Sequence, residues 1–379
     1  MIRRTEESKL TSWYFEIDRR LLGYVLFMIF VSVVFMISAG SVAAERIGQP
    51  WNFFIVKAIP FYFLGILALL GFSMVNRRIV MLASIADIAL GLLLLLITVI
   101  LPHPINGSDR FVSLGFVNLM PSDIMKPGFI IITAWFLSKM RETYGADIFF
   151  NKSAWQFKWL SWWPYLITFA ISLAIIFQHP DLGTSILYLA VLGAMLFIAG
   201  LPMSVIPVLG GVLIGMLAVA FFAFGHVHDR IISFFTGTGD TYQVTQSIQS
   251  IQHGGLLGSG DDAFVKQSLP DAHTDFIFAA IAEDAGAIVA CLLLVLLLLV
   301  LKRLVVDATN ARDRFVFYAA GGTVALFGAQ VCINLMSTLH LFAPKGMTLP
   351  FISYGGSSLL SYCILFGMIL AIVREDKWS

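Results

Sequence analysis

The chain has 379 residues, 59% of them apolar and 12% charged, with a formal net charge of +1 and a mean hydropathy of +0.88. Soluble domains carry roughly 45–50% apolar and about 25% charged residues, so a surface this poor in charge excludes a water-soluble fold. No basic patch or stripe stands out, and no nucleic-acid partner is expected.

Crossing a hydrocarbon core of about 30 Å takes roughly 20 helical residues. Apolar runs of that order lie at 21–43, 52–75, 79–101, 121–140, 160–177, 182–200, 202–225, 276–300, 315–340 and 357–373. They predict an all-α polytopic membrane protein of about ten transmembrane helices. Residues 1–20 form an N-terminal tail, 21–373 the membrane domain, and 374–379 a C-terminal tail. Most of the 24 lysines and arginines fall into alternate connections, at 3–20, 77–78, 139–158, 302–314 and 374–377. Placing these inside satisfies the positive-inside rule and makes both termini cytoplasmic. Ser41-Val42-Ala43 matches a signal-peptide cleavage pattern, but the apolar stretch is too long for a typical signal and favours an uncleaved anchor. Cys291, Cys332 and Cys363 lie in expected spans without CxxC spacing, as buried small hydrophobes do.

Polar groups inside a membrane are costly and mark function or pairing. Lys57, about a turn and a half into the second span, either snorkels to the outer interface or faces a cleft. Asp87, in the cytoplasmic half of the third span, reads as a buried hydrogen-bonding group. Segment 102–127 holds Ser108-Asp109-Arg110-Phe111 and then Pro121-Ser122-Asp123-Ile124-Met125-Lys126. Pro121 suits a first helical turn. Asp123 and Lys126, at i and i+3, share a face and can pair; the alternative is a lysine projecting into an anion-holding cleft.

Segment 226–275 is a large extracytoplasmic loop between spans 7 and 8, and loops this long are usually functional or disordered. His226-Val227-His228-Asp229 has poor spacing for zinc. Residues 242–248 read as a short amphipathic helix on the membrane face, followed by Gly254, Gly255, Gly258 and Gly260. Asp275 is either the N-cap of span 8 or, if Thr274 caps instead, a free carboxylate at the outer interface. His273 is a ligand or a hydrogen-bonding bystander. Glu283 lies only about 80° around the helix from Asp275 and is expected to share its cleft, whereas Asp284 faces away. Pro350, Ser353, Gly355, Gly356 and Ser357 predict irregular backbone, as a re-entrant turn or a substrate-lining loop.

Four blocks, in order on a ten-span frame, resemble one family. They are 121–126, Gln178-His179-Pro180-Asp181-Leu182-Gly183-Thr184, His273-Thr274-Asp275-Phe276-Ile277-Phe278-Ala279, and 350–358. They are similar to signature blocks of the shape, elongation, division and sporulation (SEDS) proteins, which include FtsW and RodA. The resemblance covers residues 19–374 and implies a peptidoglycan glycosyltransferase that polymerises lipid II at the outer face of the cytoplasmic membrane. It places the family's catalytic aspartate on Asp275 and its Glu–Lys pair on Asp123 and Lys126, with Asp for the usual Glu. Asp109 beside Arg110 departs from the basic-Arg-Trp pattern of relatives. Residues 44–48 and 345–352 look more like FtsW, the division member, than RodA, the elongation member. The resemblance also implies a class B penicillin-binding transpeptidase (FtsI-like) and divisome activators as partners.

Glycosyl transfer from a lipid pyrophosphate needs a base for the acceptor hydroxyl and cations for the departing pyrophosphate. Asp275 is the candidate base. Lys126, Lys57 and Arg110 are the candidate cations, and a divalent ion, magnesium or manganese, is compatible with this chemistry. Asp123, His273, Glu283, Ser353, Gly355, Gly356 and Ser357 complete the expected substrate site. The glycine-rich end of the long loop and the turn 350–358 are expected to rim one cleft. The competing reading is a lipid II flippase, since intramembrane charges also suit a translocation path.

Overall fold

The computed structural model describes residues 9–100, 111–113, 118–179, 181–223, 225, 228, 232, 242–341 and 346–378. A short helix, α1 (Lys9–Glu16), precedes the first long one, α2 (Arg19–Arg46). The Asp18 carboxylate accepts the Arg20 and Leu21 N–H groups, satisfying donors that a helix N-terminus leaves open. There follow α3 (Phe53–Met74), α4 (Arg77–Ile100), the short α5 (Pro121–Ile124), α6 (Lys126–Tyr144), α7 (Trp162–Gln178), α8 (Leu182–Ile198) and α9 (Ile206–Ala223). After them come α10 (Tyr242–Gly254), α11 (Val265–Ser268), α12 (Ile277–Thr309), α13 (Arg314–Thr338) and α14 (Gly356–Trp378). Helices occupy all ten expected apolar runs, and six of them (α2, α3, α4, α12, α13 and α14) are long and apolar enough to cross a membrane. The described strands are a two-residue antiparallel pair, Val112–Ser113 with Asn118–Leu119. This is an all-α, multi-pass membrane protein.

Burial sorts the helices by neighbour. Phe30 on α2, Leu82 on α4 and Leu298 on α12 are exposed, as lipid-facing residues should be. Helix α14 is buried on nearly every side and packs along α3. At one end of the bundle, charges tie the connections together: Arg303 pairs with Asp18, Lys377 with Asp307 and Arg77 with Asp313. Asp376 accepts the Arg312 and Asp313 N–H groups. This belt joins four of the five segments expected to be cytoplasmic, all but 139–158, and holds Asp18 and the C-terminal segment at the same end.

Two features sit deeper than sequence suggests. The Asp87 carboxylate accepts the Gly128 N–H at 2.8 Å, filling an open donor in the first turn of α6. Asp87 is about 15 Å along α4 from Arg77, and α4 continues about 20 Å beyond it. Helix α6 therefore begins part-way across the bundle. Helix α12 is broken at Gly286 (φ 82°, ψ 172°), a conformation open chiefly to glycine. Backbone groups near the break bond to the preceding loop: Ser259 N–H to Glu283 C=O (2.8 Å) and Ala287 N–H to Gly255 C=O (2.9 Å).

That close approach explains the loop glycines. A Cβ on Gly254 would come within 2.0 Å of the Ala282 carbonyl oxygen. Gly254 and Gly258 thus seat the loop on the broken helix. The amphipathic helix also departs from expectation. Helix α10 buries Val244, Ser247, Ser250 and Gly254 and packs on α12, because its buried face is small and polar rather than greasy enough for lipid.

Candidate active site

The turn between α5 and α6 carries the most deeply set ion pair. Lys126 is 2% exposed, and its Nζ donates to Asp123 Oδ1 at 2.6 Å and to Gln330 Oε1 at 2.8 Å. The other Asp123 oxygen accepts from Ser357 Oγ at 3.1 Å. The Tyr362 hydroxyl also donates to Gln330 Oε1 (2.8 Å), and its ring centroid lies 5.6 Å from the ammonium. The sequence left pairing and a cleft-facing lysine as alternatives, and the pair forms. Three elements therefore converge on one buried positive charge.

Helix α13 extends this site toward Asp275. Gln330 Nε2 donates to the Thr348 carbonyl at 2.9 Å. Four residues on, Asn334 Nδ2 donates to the Met347 carbonyl (2.7 Å) and the Asp275 carbonyl (2.8 Å). Residues i and i+4 lie on one helix face about 6 Å apart, so a single face of α13 holds both the lysine site and the turn bearing Asp275. Asp275 is partly exposed.

The N-cap of α12 is Phe276, with no side-chain cap bond, and Thr274 Oγ1 donates to the Asp271 carbonyl instead. The cap position thus falls one residue beyond Asp275. His273 forms a wall of this turn: its ring sits 4.2 Å from Phe54 and 5.4 Å from Tyr354, and its carbonyl accepts the Tyr354 N–H. Burial pushes its imidazole down to about 4, so it is neutral at pH 7.

Several expected site residues lie elsewhere. Glu283 is fully buried and accepts the Val265 and Lys266 N–H groups, both at 2.7 Å, with His253 Nδ1 at 3.0 Å. It caps α11, a helix remote in sequence, instead of sharing the Asp275 cleft. Lys57 is exposed, its ammonium 4.2 Å from the Phe53 ring, and among the described residues it does not join the ion pair. Ser353 Oγ accepts the Leu349 N–H and closes a local turn. A Cβ on Gly356 would enter the Phe61 ring, so close packing accounts for this glycine; Gly355 packs on Thr348. The segment 346–355 is an irregular turn, with Leu349, Pro350, Phe351 and Ile352 buried, and of the four candidates Ser353, Gly355, Gly356 and Ser357 only Ser357 reaches the pair. Arg110, His226, Asp229 and Lys345 lie outside the described residues. Among the described residues, no group of three or more His, Cys, Asp or Glu side chains is placed to hold a metal ion.

Comparison with known proteins decides the family. The model of the FtsW/RodA/SpoVE cell cycle proteins matches residues 19–378. The chain belongs to this family. It is 33% identical to the probable peptidoglycan glycosyltransferase FtsW of Caulobacter vibrioides, covering 98% of this chain and 93% of that protein. The corresponding protein of Coxiella burnetii is 30% identical over 98% of this chain and all of its own length. Among solved structures, a chain from a peptidoglycan synthase complex aligns with a TM-score of 0.75 at 22% identity, covering 96% of this chain and 99% of its own. RodA of Thermus thermophilus aligns with a TM-score of 0.67 at 24% identity, covering 95% and 97%.

Within this family fold, Gln330, Asn334 and Tyr362 are site residues that sequence reasoning missed. Two amides at i and i+4 inside an apolar span were the available signal, because buried amides need partners. Lys266 was missed as well. It pairs with Asp284 and donates to Ser38 Oγ at 2.7 Å, bracing the break in α12.

Proposed function

We propose that this chain is a peptidoglycan glycosyltransferase that polymerises lipid II at the outer face of the cytoplasmic membrane, in the division role of FtsW. The activity of the relatives supports it, and one observation carries it: the buried Lys126 ammonium and the Asp275 turn are held by the same face of α13. Asp275 takes the proton from an acceptor hydroxyl as its oxygen bonds to the donor's anomeric carbon. The bond from that carbon to the pyrophosphate oxygen breaks, and Lys126 stabilises the departing anion from a site of low dielectric. Displacement in one step inverts the anomeric centre. A magnesium or manganese ion, if one takes part, would be held jointly by one or two carboxylates and the pyrophosphate, as such ions commonly are.

The partners that fit are lipid II, a class B penicillin-binding transpeptidase and division activators, with location at the septum. Similarity to a chain of a peptidoglycan synthase complex supports the transpeptidase. The test is polymerisation of lipid II by the purified protein, with and without its transpeptidase. Glycan strands that depend on Asp275 support the reading; lipid flipping without polymer would replace it.

A further inference from the structure

The fifth segment expected to be cytoplasmic, which the charged belt leaves out, includes the connection between α6 and α7. This connection is folded. The Tyr144 hydroxyl donates to the Leu160 carbonyl at 3.0 Å, and the Trp155 and Trp162 indoles donate to the Phe149 and Ile148 carbonyls, both at 2.9 Å. Ile148, Ala154 and Leu160 are buried beneath it, whereas Phe150, Phe157 and Trp159 are 70%, 77% and 80% exposed. A segment with an apolar interior of its own that still turns three large aromatic rings outward has a second apolar environment to put them in.

Depth identifies that environment. Met125 packs at Gly91 and Gly128 at Ser84, so α6 runs antiparallel to α4, back toward Arg77. Trp159 lines one groove with Trp135 and Phe136 of α6, about 12 Å along that helix from Gly128. Gly128 bonds to Asp87, and Arg77 of the belt is about 15 Å along α4 from Asp87. Trp159 therefore sits within about one helical turn of the level of the belt, where headgroups begin and Trp side chains concentrate. By the distribution of lysine and arginine this is the cytoplasmic leaflet.

Charge decides which lipid fits. Lys139 is matched by Glu142, which leaves Arg141, Lys152 and Lys158 against Asp147. Lys152 and Lys158 are exposed. Among the described residues, neither their ammonium groups nor the Trp159 indole N–H has a bonding partner. We propose that this face binds the phosphodiester headgroup of an anionic phospholipid of the cytoplasmic leaflet. Lys152 and Lys158 match its charge, the Trp159 indole donates to one of its oxygens, and Phe150 and Phe157 rest among the glycerol and upper acyl groups. A zwitterionic lipid would leave the excess positive charge unmatched. A protein partner would first have to strip lipid from the three rings. Asp275 and the belt lie at opposite ends of α12, so this surface is remote from the proposed chemistry and its test needs no turnover.

In that test, photoreactive p-benzoylphenylalanine replaces Phe157 in the full chain, held in vesicles of equal parts phosphatidylglycerol and phosphatidylcholine. Crosslinked lipid is identified by mass spectrometry. The same label at Phe63, an exposed residue within α3, reports the bulk ratio of the two lipids. At Phe157 the ratio of phosphatidylglycerol to phosphatidylcholine should exceed the bulk value at least about fivefold, the contribution of one basic side chain at an anionic surface. Lys152→Gln with Lys158→Gln should return it to the bulk value, and Lys152→Arg with Lys158→Arg should preserve it. A bulk ratio at Phe157 in the otherwise wild-type protein, or an enrichment that survives the glutamine pair, overturns the proposal. Capture of a second copy of the chain in place of lipid also overturns it. The substituted side chains are exposed, so thermal unfolding in detergent should match wild type; a label at Phe150 repeats the measurement if the Phe157 variant does not fold.

Discussion

Lys126–Asp123 and Lys266–Asp284 are the same two side chains in different settings. Both lysines are buried, at 2% and 6% exposure, and each ammonium has an oxygen partner besides its aspartate, Gln330 for one and Ser38 for the other. The first pair is surrounded by side chains from α13 and α14, and Asn334, one turn along α13 from Gln330, holds the Asp275 turn. The second stands beside Glu283, whose carboxylate accepts backbone N–H groups of α11, at a helix break. Chemical type does not separate the proposed reactive site from a structural brace. What each pair is wired to does.

The comparison can be broken most sharply at the carboxylates. Asp275→Asn should lower polymerisation by at least about a hundredfold, the low end of what a general base contributes, with thermal stability unchanged. Glu283→Gln should do the reverse and lower stability, because one of its oxygens becomes a donor facing backbone N–H groups. Near wild-type polymerisation by the Asp275 variant would remove the assigned base.

The lysines come next. Lys126→Met strands a buried aspartate, which costs about 3–5 kcal/mol and should appear in thermal unfolding in detergent; Lys266→Met strands the half-buried Asp284 and should cost less. The neutral doubles should separate them. Asp284→Asn with Lys266→Gln regains stability and activity, whereas Asp123→Asn with Lys126→Gln regains stability alone. Recovery of activity in the second double would reduce Lys126 to a brace like Lys266.

A smaller effect concerns His273, in the turn outside α12. Burial lowers its imidazole from 6.5 to about 4, so the unfolded chain binds the proton more readily. Its contribution is fully present above pH 6.5 and is lost as pH falls toward 4, at most about 3 kcal/mol across that window. His273→Phe should flatten the dependence of melting temperature on pH between those values; an unchanged slope would assign the acid sensitivity elsewhere. The smallest change is expected at Lys57. Exposed and outside the cluster, Lys57→Ala should shift stability by no more than about 0.5 kcal/mol and leave polymerisation rates near wild type. A large loss of rate would return this lysine to the site.

The contrast also shows what sequence reasoning can reach. Asp123 and Lys126 were readable as a pair because only three residues, near-helical across the α5–α6 turn, separate them. Lys266 and Asp284 were not, since eighteen residues of loop and broken helix separate them. Glu283 was misplaced for a related reason: counting about 100° per residue from Asp275 supposes one continuous helix and takes no account of a loop helix arriving to be capped.

The sequence by itself determined the membrane environment, the positions of the apolar helices and the family, because hydropathy and length act locally and motifs are contiguous. It also set Asp275 immediately ahead of a span. Only the tertiary structure decided that Gln330 and Asn334 join the lysine site to the Asp275 turn, that Lys57 and Glu283 stand apart, and that α6 begins deep beside Asp87. Those outcomes depend on which buried polar groups meet when helices distant in sequence pack, and each such group must find its partner there or remain unsatisfied.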